Sequence, residues 1–215
     1  MSRIQVLVVI GSLRAESSNR RVCQRFAETA PDNVAVTFAE LHDIPLYHDD
    51  IYQVSPPGPV EELKARVTAA DAVIFNTPEY NGGIAGVVKN AIDWLSRPAF
   101  AGVLVGKPAG VIAASPSRSL PERSAVQAFE ALTICLADMI PGFVAVKLAP
   151  KALDSQTEEF EALTEAMAQY WASLVAVVDA KTLTDAKTLA DAKTLTDAKT
   201  LADAKTLAES QPGAE

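Results

Sequence analysis

The chain has 215 residues and a formal charge of −8, from 27 acidic and 19 basic side chains; 49% of it is hydrophobic, 21% charged and only 6% aromatic. That is enough chain for a domain with a real core and no disulfide or metal staples, and too hydrophobic a composition for a wholly disordered protein. The acidic balance leaves no cationic surplus to displace phosphate counterions, which excludes a general nucleic-acid binder. Cys23 and Cys135 lie far apart and form neither a CxxC pair nor a zinc cluster, so a reducing cytoplasm is the expected location. No stretch approaches the ~20 apolar residues of a spanning helix, and a soluble protein without a membrane partner is expected.

The run Ile4–Ile10 passes straight into a polar loop and reads as a first strand, not a signal peptide. That loop is Gly11-Ser12-Leu13-Arg14-Ala15-Glu16-Ser17-Ser18-Asn19-Arg20-Arg21, neither GxGxxG nor a Walker A motif. It sets the donors Ser12, Ser17, Ser18 and Asn19 beside a helix N-terminus, with Arg14 as counter-charge. Those are the requirements of a phosphate monoester site. The plainer alternative for Ser18 or Asn19 is a helix cap. A helix is predicted over 19–30, with Cys23 on its buried side beside Val22 and Phe26. Val34, Val36 and Phe38 then alternate with smaller or more polar neighbours, as on an edge strand. His42 and His48 flank the next connection; His48-Asp49-Asp50 lacks metal-ligand spacing, and no metal is expected.

A helix over 60–69 leads to an apolar strand at 72–75 and a second loop, Asn76-Thr77-Pro78-Glu79-Tyr80-Asn81-Gly82-Gly83. Its proline and two glycines shape a tight turn whose backbone can approach a flat ligand. In the helix over 84–96, Ile84, Val87, Val88, Ala91, Ile92 and Leu95 share one face. Trp94 sits at the margin of that face, suited to packing or a subunit interface. A strand at 109–114, a third loop from Ser115 to Arg123, a helix over 122–139, a strand at 143–146 and a helix over 157–178 complete the alternation. Five strands and five helices predict a doubly wound α/β parallel sheet. Its ligand belongs at the carboxyl ends of the strands, in the loops after strands one, three and four. GxSxG is missing and no catalytic acid or base stands out.

From Asp179 the composition changes to five six-residue units of the form DAKTL(T/A), closing with ESQPGAE. A six-residue period advances 600° around a helix, so the leucines from Leu183 onward never build a stripe. The expected organisation is a folded domain over 1–178 and a solvated, partly helical repeat tail over 179–215.

Residues 77–96, TPEYNGGIAGVVKNAIDWLS, resemble the signature of the NADPH-dependent FMN reductase family, flavodoxin-like flavoenzymes that include bacterial quinone, chromate and azo reductases. The Gly-Ser-Leu-Arg loop at position 11 resembles the same family's phosphate loop. The resemblance covers about residues 3–178 and implies a flavodoxin-like five-stranded parallel sheet of order 2-1-3-4-5. It implies FMN as cofactor, its phosphate held by Ser12, Arg14, Ser17 and Asn19, its ring contacted by Pro78, Glu79, Tyr80 and Asn81 and flanked by Ser115. It further implies NADPH or NADH as co-substrate, a ping-pong hydride transfer to a small-molecule electron acceptor such as a quinone, azo compound, chromate or free flavin, and a homodimer or homotetramer. The third loop departs from the family's glycine-rich pattern: either it stands back from the ring, or its prolines set an equivalent path. The rival reading is a flavodoxin-type electron carrier without nicotinamide turnover. Flavodoxins typically lack the TPEYN to KNAIDW run, and electron carriers tend to shield the ring with aromatics from both flanking loops, of which the third loop here has none.

Overall fold

A computed structural model describes residues 3–209, with side chains described to 188 and at Ala190. The strands are β1 (Ile4–Ile10), β2 (Val34–Glu40), β3 (Ala72–Tyr80), β4 (Gly83–Ile84), β5 (Pro108–Ala114), β6 (Asp138–Met139) and β7 (Val144–Val146). The helices are α1 (Ser18–Glu28), α2 (Asp49–Val54), α3 (Gly58–Ala69), α4 (Gly86–Leu95), α5 (Pro121–Ile134), α6 (Ala149–Ala152) and α7 (Glu158–Glu209).

The apolar runs form the parallel strands because both sheet faces are covered. Alternate residues of β1 divide between two cores. Val6, Val8 and Ile10 pack with Val22, Cys23 and Phe26 of α1 and with Met167, Trp171 and Leu174 of α7. Leu7 and Val9 pack with Leu63 and Val67 of α3, Val88 and Ile92 of α4, and Ala128 and Leu132 of α5. On the first face the Trp171 indole stacks on Phe26 with centroids 4.0 Å apart, and its Nε1–H donates to the Phe26 carbonyl at 3.0 Å.

The sheet order is β2-β1-β3-β5-β6, with β7 also on β5 and β4 on β3. The four long strands follow the predicted order 2-1-3-4, and β2 is the edge that its alternation suggested. Two details differ from the five-strand expectation. First, β3 continues five residues past the predicted end at Phe75, so 76–80 are strand and Pro78 lies opposite Ala114 on β5. The chain then reverses at Asn81 and Gly82, with φ of 53° and 81°, and returns as the antiparallel β4. An Asn-Gly pair takes that left-handed turn at little cost. Second, the last position in the sheet is shared by two short strands. β6 pairs with Pro108 and Ala109, and β7 with Ile112 to Ala114. Between those pairings the Val111 N–H donates to the Tyr170 hydroxyl of α7 at 2.9 Å. That buried side chain supplies the acceptor that no strand offers.

The predicted helix over 122–139 stops at Ile134, because Leu136 turns left-handed at φ 62° and the chain enters β6. Short helices α2 and α6 were not expected. Internal contacts divide the chain into Met1–Val178 and Asp179–Glu215. In the second unit the backbone is helical to Glu209, Leu183 is 72% exposed, and Lys181 pairs with Asp185 at 3.2 Å. The Thr184 and Thr188 hydroxyls donate to carbonyls four residues back, which keeps threonine in helix.

Candidate active site

Three chain segments meet at the carboxyl ends of β1, β3 and β5. At Gly11 the chain leaves β1 so close to β3 that a Cβ would collide with the Asn76 carbonyl and with Val88, so only glycine permits this exit. The loop then places Ser17 as the N-cap of α1: its Oγ accepts from Asn19 N–H at 3.1 Å. The cap is therefore Ser17, not Ser18 or Asn19. Other first-turn N–H groups of α1 have no partner within the helix and are donors for an anion.

A cavity of about 90 Å³ lies over this helix start, lined by Ser12, Arg14, Ser17, Ser18, Asn19, Pro78, Glu79, Tyr80 and Pro116. Of the nine residues expected to contact FMN, seven come together here, with Ser18 beside them. Their surroundings differ. The Asn19 carboxamide is buried, donating to the Ala114 carbonyl at 3.0 Å and accepting from Asn76 Nδ2 at 3.0 Å. It braces α1 to β3 and β5. Arg14 is exposed, its Nη2 donating to the Glu16 carbonyl at 2.6 Å. Arg20 is bound to Glu40 of β2 through both guanidinium nitrogens, one at 2.8 Å, so it is not part of an arginine cluster at the cavity.

Glu79 ties the second and third loops together. Its carboxyl is held below the usual carboxylate value by a hydrogen bond from the Ser119 side chain, by the Gly82 N–H and by the charge of Arg123. Ser115 does not line the cavity. Its buried Oγ is the centre of a hydroxyl network, accepting from Ser117 N–H at 3.2 Å and sharing a hydrogen bond with the Ser119 hydroxyl at 2.6 Å. Pro116 takes the lining position, so this loop does not stand back from the second one. Asn81 is exposed at the hairpin turn, outside the cavity lining. Gln127 of α5 holds the same hairpin, its Oε1 accepting from Ile84 N–H at 2.9 Å. Ser119 and Arg123 lie in the predicted third loop, but their pairing with Glu79 carried no sequence signal, nor did Gln127, since these partners are distant in the chain.

Beside this cavity lies a larger apolar cleft of about 470 Å³, lined by Leu13, Arg14, Ile44, Leu46, Tyr80, Val87 and Asn90 among others. Arg14 and Tyr80 line both recesses. Trp94 is fully buried, which settles its role as packing. Burial pushes the Cys23 and Cys135 thiols up, and neither lines either recess. Among the described residues no group of three His, Cys, Asp or Glu could hold a metal, and no helix is long and apolar enough to cross a membrane.

The family model described as NADPH-dependent FMN reductase matches residues 4–151. The chain belongs to this family. It is 44% identical over 117 residues to a quinone reductase of Pseudomonas putida, covering 54% of this chain and 63% of that protein. It is also 44% identical over 115 residues to an NAD(P)H-dependent FMN reductase of Pseudomonas aeruginosa, covering 54% and 62%. The chain thus spans somewhat less than two thirds of the length of these curated relatives. Among solved structures, FerB, a flavoenzyme NAD(P)H:(acceptor) oxidoreductase of Paracoccus denitrificans, superposes with a TM-score of 0.66 at 30% identity, covering 80% of this chain and 98% of that one. The family match includes all three loops at the cavity and the whole of α4.

Proposed function

We propose that the chain is an FMN-dependent NAD(P)H oxidoreductase that reduces quinones or similar small acceptors. The observation that carries this reading is the single cavity at the strand ends where hydroxyl donors, a helix N-terminus and Arg14 face Pro78 and Tyr80. That donor set suits a phosphate monoester; at about 90 Å³ the recess takes the phosphate end of the cofactor, and a flat ring would extend from it past Pro78 and Tyr80. Bound FMN would supply the chemistry, accepting a hydride from the nicotinamide and returning it to the acceptor.

The protein's own residues have three tasks in this reading. Ser12, Ser17, Arg14 and the first-turn N–H groups of α1 hold the phosphate, with Asn19 bracing that helix start. Pro78 and Tyr80 flank the ring, while Glu79, Asn81 and Ser115 fix the two loops that carry the contacts. The exposed side of Tyr80 leaves a face open to co-substrate. No protein acid or base is required for hydride transfer, in keeping with a Glu79 carboxylate already committed to loop contacts. The same reading expects a cytoplasmic homodimer or homotetramer whose working unit is 1–178.

A visible spectrum followed by anaerobic addition of NADPH, then NADH, tests it. A yellow protein bleached by either nucleotide is expected. A colourless protein sinks the reading, and a yellow one that neither nucleotide bleaches is a flavodoxin-type carrier.

A further inference from the structure

The connection after β2 is clamped onto α4. Asn90 uses both ends of its carboxamide on it: Nδ2 donates to the Pro45 carbonyl at 2.8 Å, and Oδ1 accepts from Tyr47 N–H at 2.7 Å. Trp94 Nε1–H donates to the same Pro45 carbonyl at 2.8 Å. The Tyr47 ring then meets the indole edge-on, centroids 5.0 Å apart at 77°. Asn90 is 9% exposed and Trp94 fully buried, while Pro45 is exposed, so these bonds are partly shielded from competing water.

The clamp positions Ile44 and Leu46, two residues of the apolar cleft wall. Leu46 is 82% exposed, a large apolar side chain held in solvent on a fixed backbone. The cleft's 470 Å³ is within the range of small-molecule sites, and it shares Arg14 and Tyr80 as walls with the cavity assigned to the cofactor.

We propose that the 44–47 strap is the acceptor-selecting wall of this enzyme. A planar, largely apolar carbonyl acceptor lies in the cleft against Leu13, Leu46 and Val87, and Leu46 decides which ring substituents are tolerated. Asn90 and Trp94 are positioning residues that act through the Pro45 carbonyl. The inference rests on the oxidoreductase reading above and adds to it the side chains that discriminate among acceptors.

The test uses the full chain loaded with FMN, as parent, Leu46→Ala and Asn90→Ala. Three quantities are measured: the FMN dissociation constant, kcat and KM for menadione and for p-benzoquinone with NADPH, and amide exchange at Tyr47. Leu46→Ala lowers the preference for menadione over benzoquinone about tenfold, the size of a lost apolar contact, through KM and not kcat, with FMN affinity within about twofold of the parent. Asn90→Ala speeds Tyr47 exchange and lowers the same preference. Leu46 is exposed, so its variant carries the test even if Asn90→Ala fails to fold. An unchanged preference in Leu46→Ala overturns the proposal. So does a fall in FMN affinity at constant preference, which would put the cofactor in the cleft. A parent chain that takes up no FMN fails the underlying reading, and does so before any acceptor is added.

Discussion

At the scale of single residues, Arg14 and Arg20, on either side of the start of α1, have opposite duties. Arg14 lines the cavity, whereas Arg20 is bound to Glu40. Arg14→Ala should therefore weaken FMN binding about ten- to a hundredfold, as loss of a charge-assisted hydrogen bond does. Arg20→Ala should leave FMN affinity alone and cost at most ~1 kcal/mol of stability, since its ion pair is partly solvated; visible titration and urea unfolding separate the two. Glu79 makes a pH prediction. Its folded-state value lies below the ordinary carboxylate value of 4.5 because of Ser119, Gly82 and Arg123. The stability its ionised form contributes is complete above pH 4.5 and is lost as pH falls through the lower folded value. Glu79→Gln should flatten the acid limb of the stability profile below that point and leave neutral pH little changed in slope. Equal slopes for parent and variant in acid unfolding would refute the assignment. Arg14 was legible in the sequence because its loop is contiguous. The Arg20 pairing was not legible because Glu40 lies twenty residues away, on β2.

At the scale of elements, the hydrophobic runs identified the long strands, because a strand covered on both faces must be apolar throughout. What periodicity missed was the length of β3 and the divided last strand. Residues 76–80 mix amide, hydroxyl, proline and carboxylate, which reads as a loop. The β5 pairing and the β4 flap hold them in the sheet instead. The gap between β6 and β7 is bridged by Tyr170, whose hydroxyl accepts from Val111 N–H. Tyr170→Phe should cost about 1–3 kcal/mol, the penalty for an unpaired buried donor. The same change should bring faster amide exchange at Val111 than at Val73, whose strand pairing it does not touch. Trp94 shows the same limit of sequence reading: its place on the helical wheel was marginal, yet the strap over α4 buries it completely.

At the scale of the whole molecule, the five repeat units contribute five lysines, five aspartates and, with the closing segment, two glutamates, which is −2 of the −8. The remaining −6 and every aromatic residue belong to 1–178. A chain ended after Val178 should keep its visible spectrum and its NADPH turnover within about twofold, while circular dichroism loses helical signal; a large fall in turnover would give the tail a catalytic role. The sequence by itself determined the α/β class, the strand ends as the place for a site, and the family, since apolar period, loop chemistry and the 77–96 run are all local. Only the tertiary structure decided which side-chain donors are left for a ligand and which are spent inside the fold, as Ser115 and the carboxamide of the cavity-lining Asn19 are. It alone brought the 44–47 strap onto Asn90 and Trp94. Ser115 is held within its own loop, but the Asn19 and strap choices depend on hydrogen bonds between residues forty or more positions apart, and no local pattern encodes where a distant carbonyl will lie.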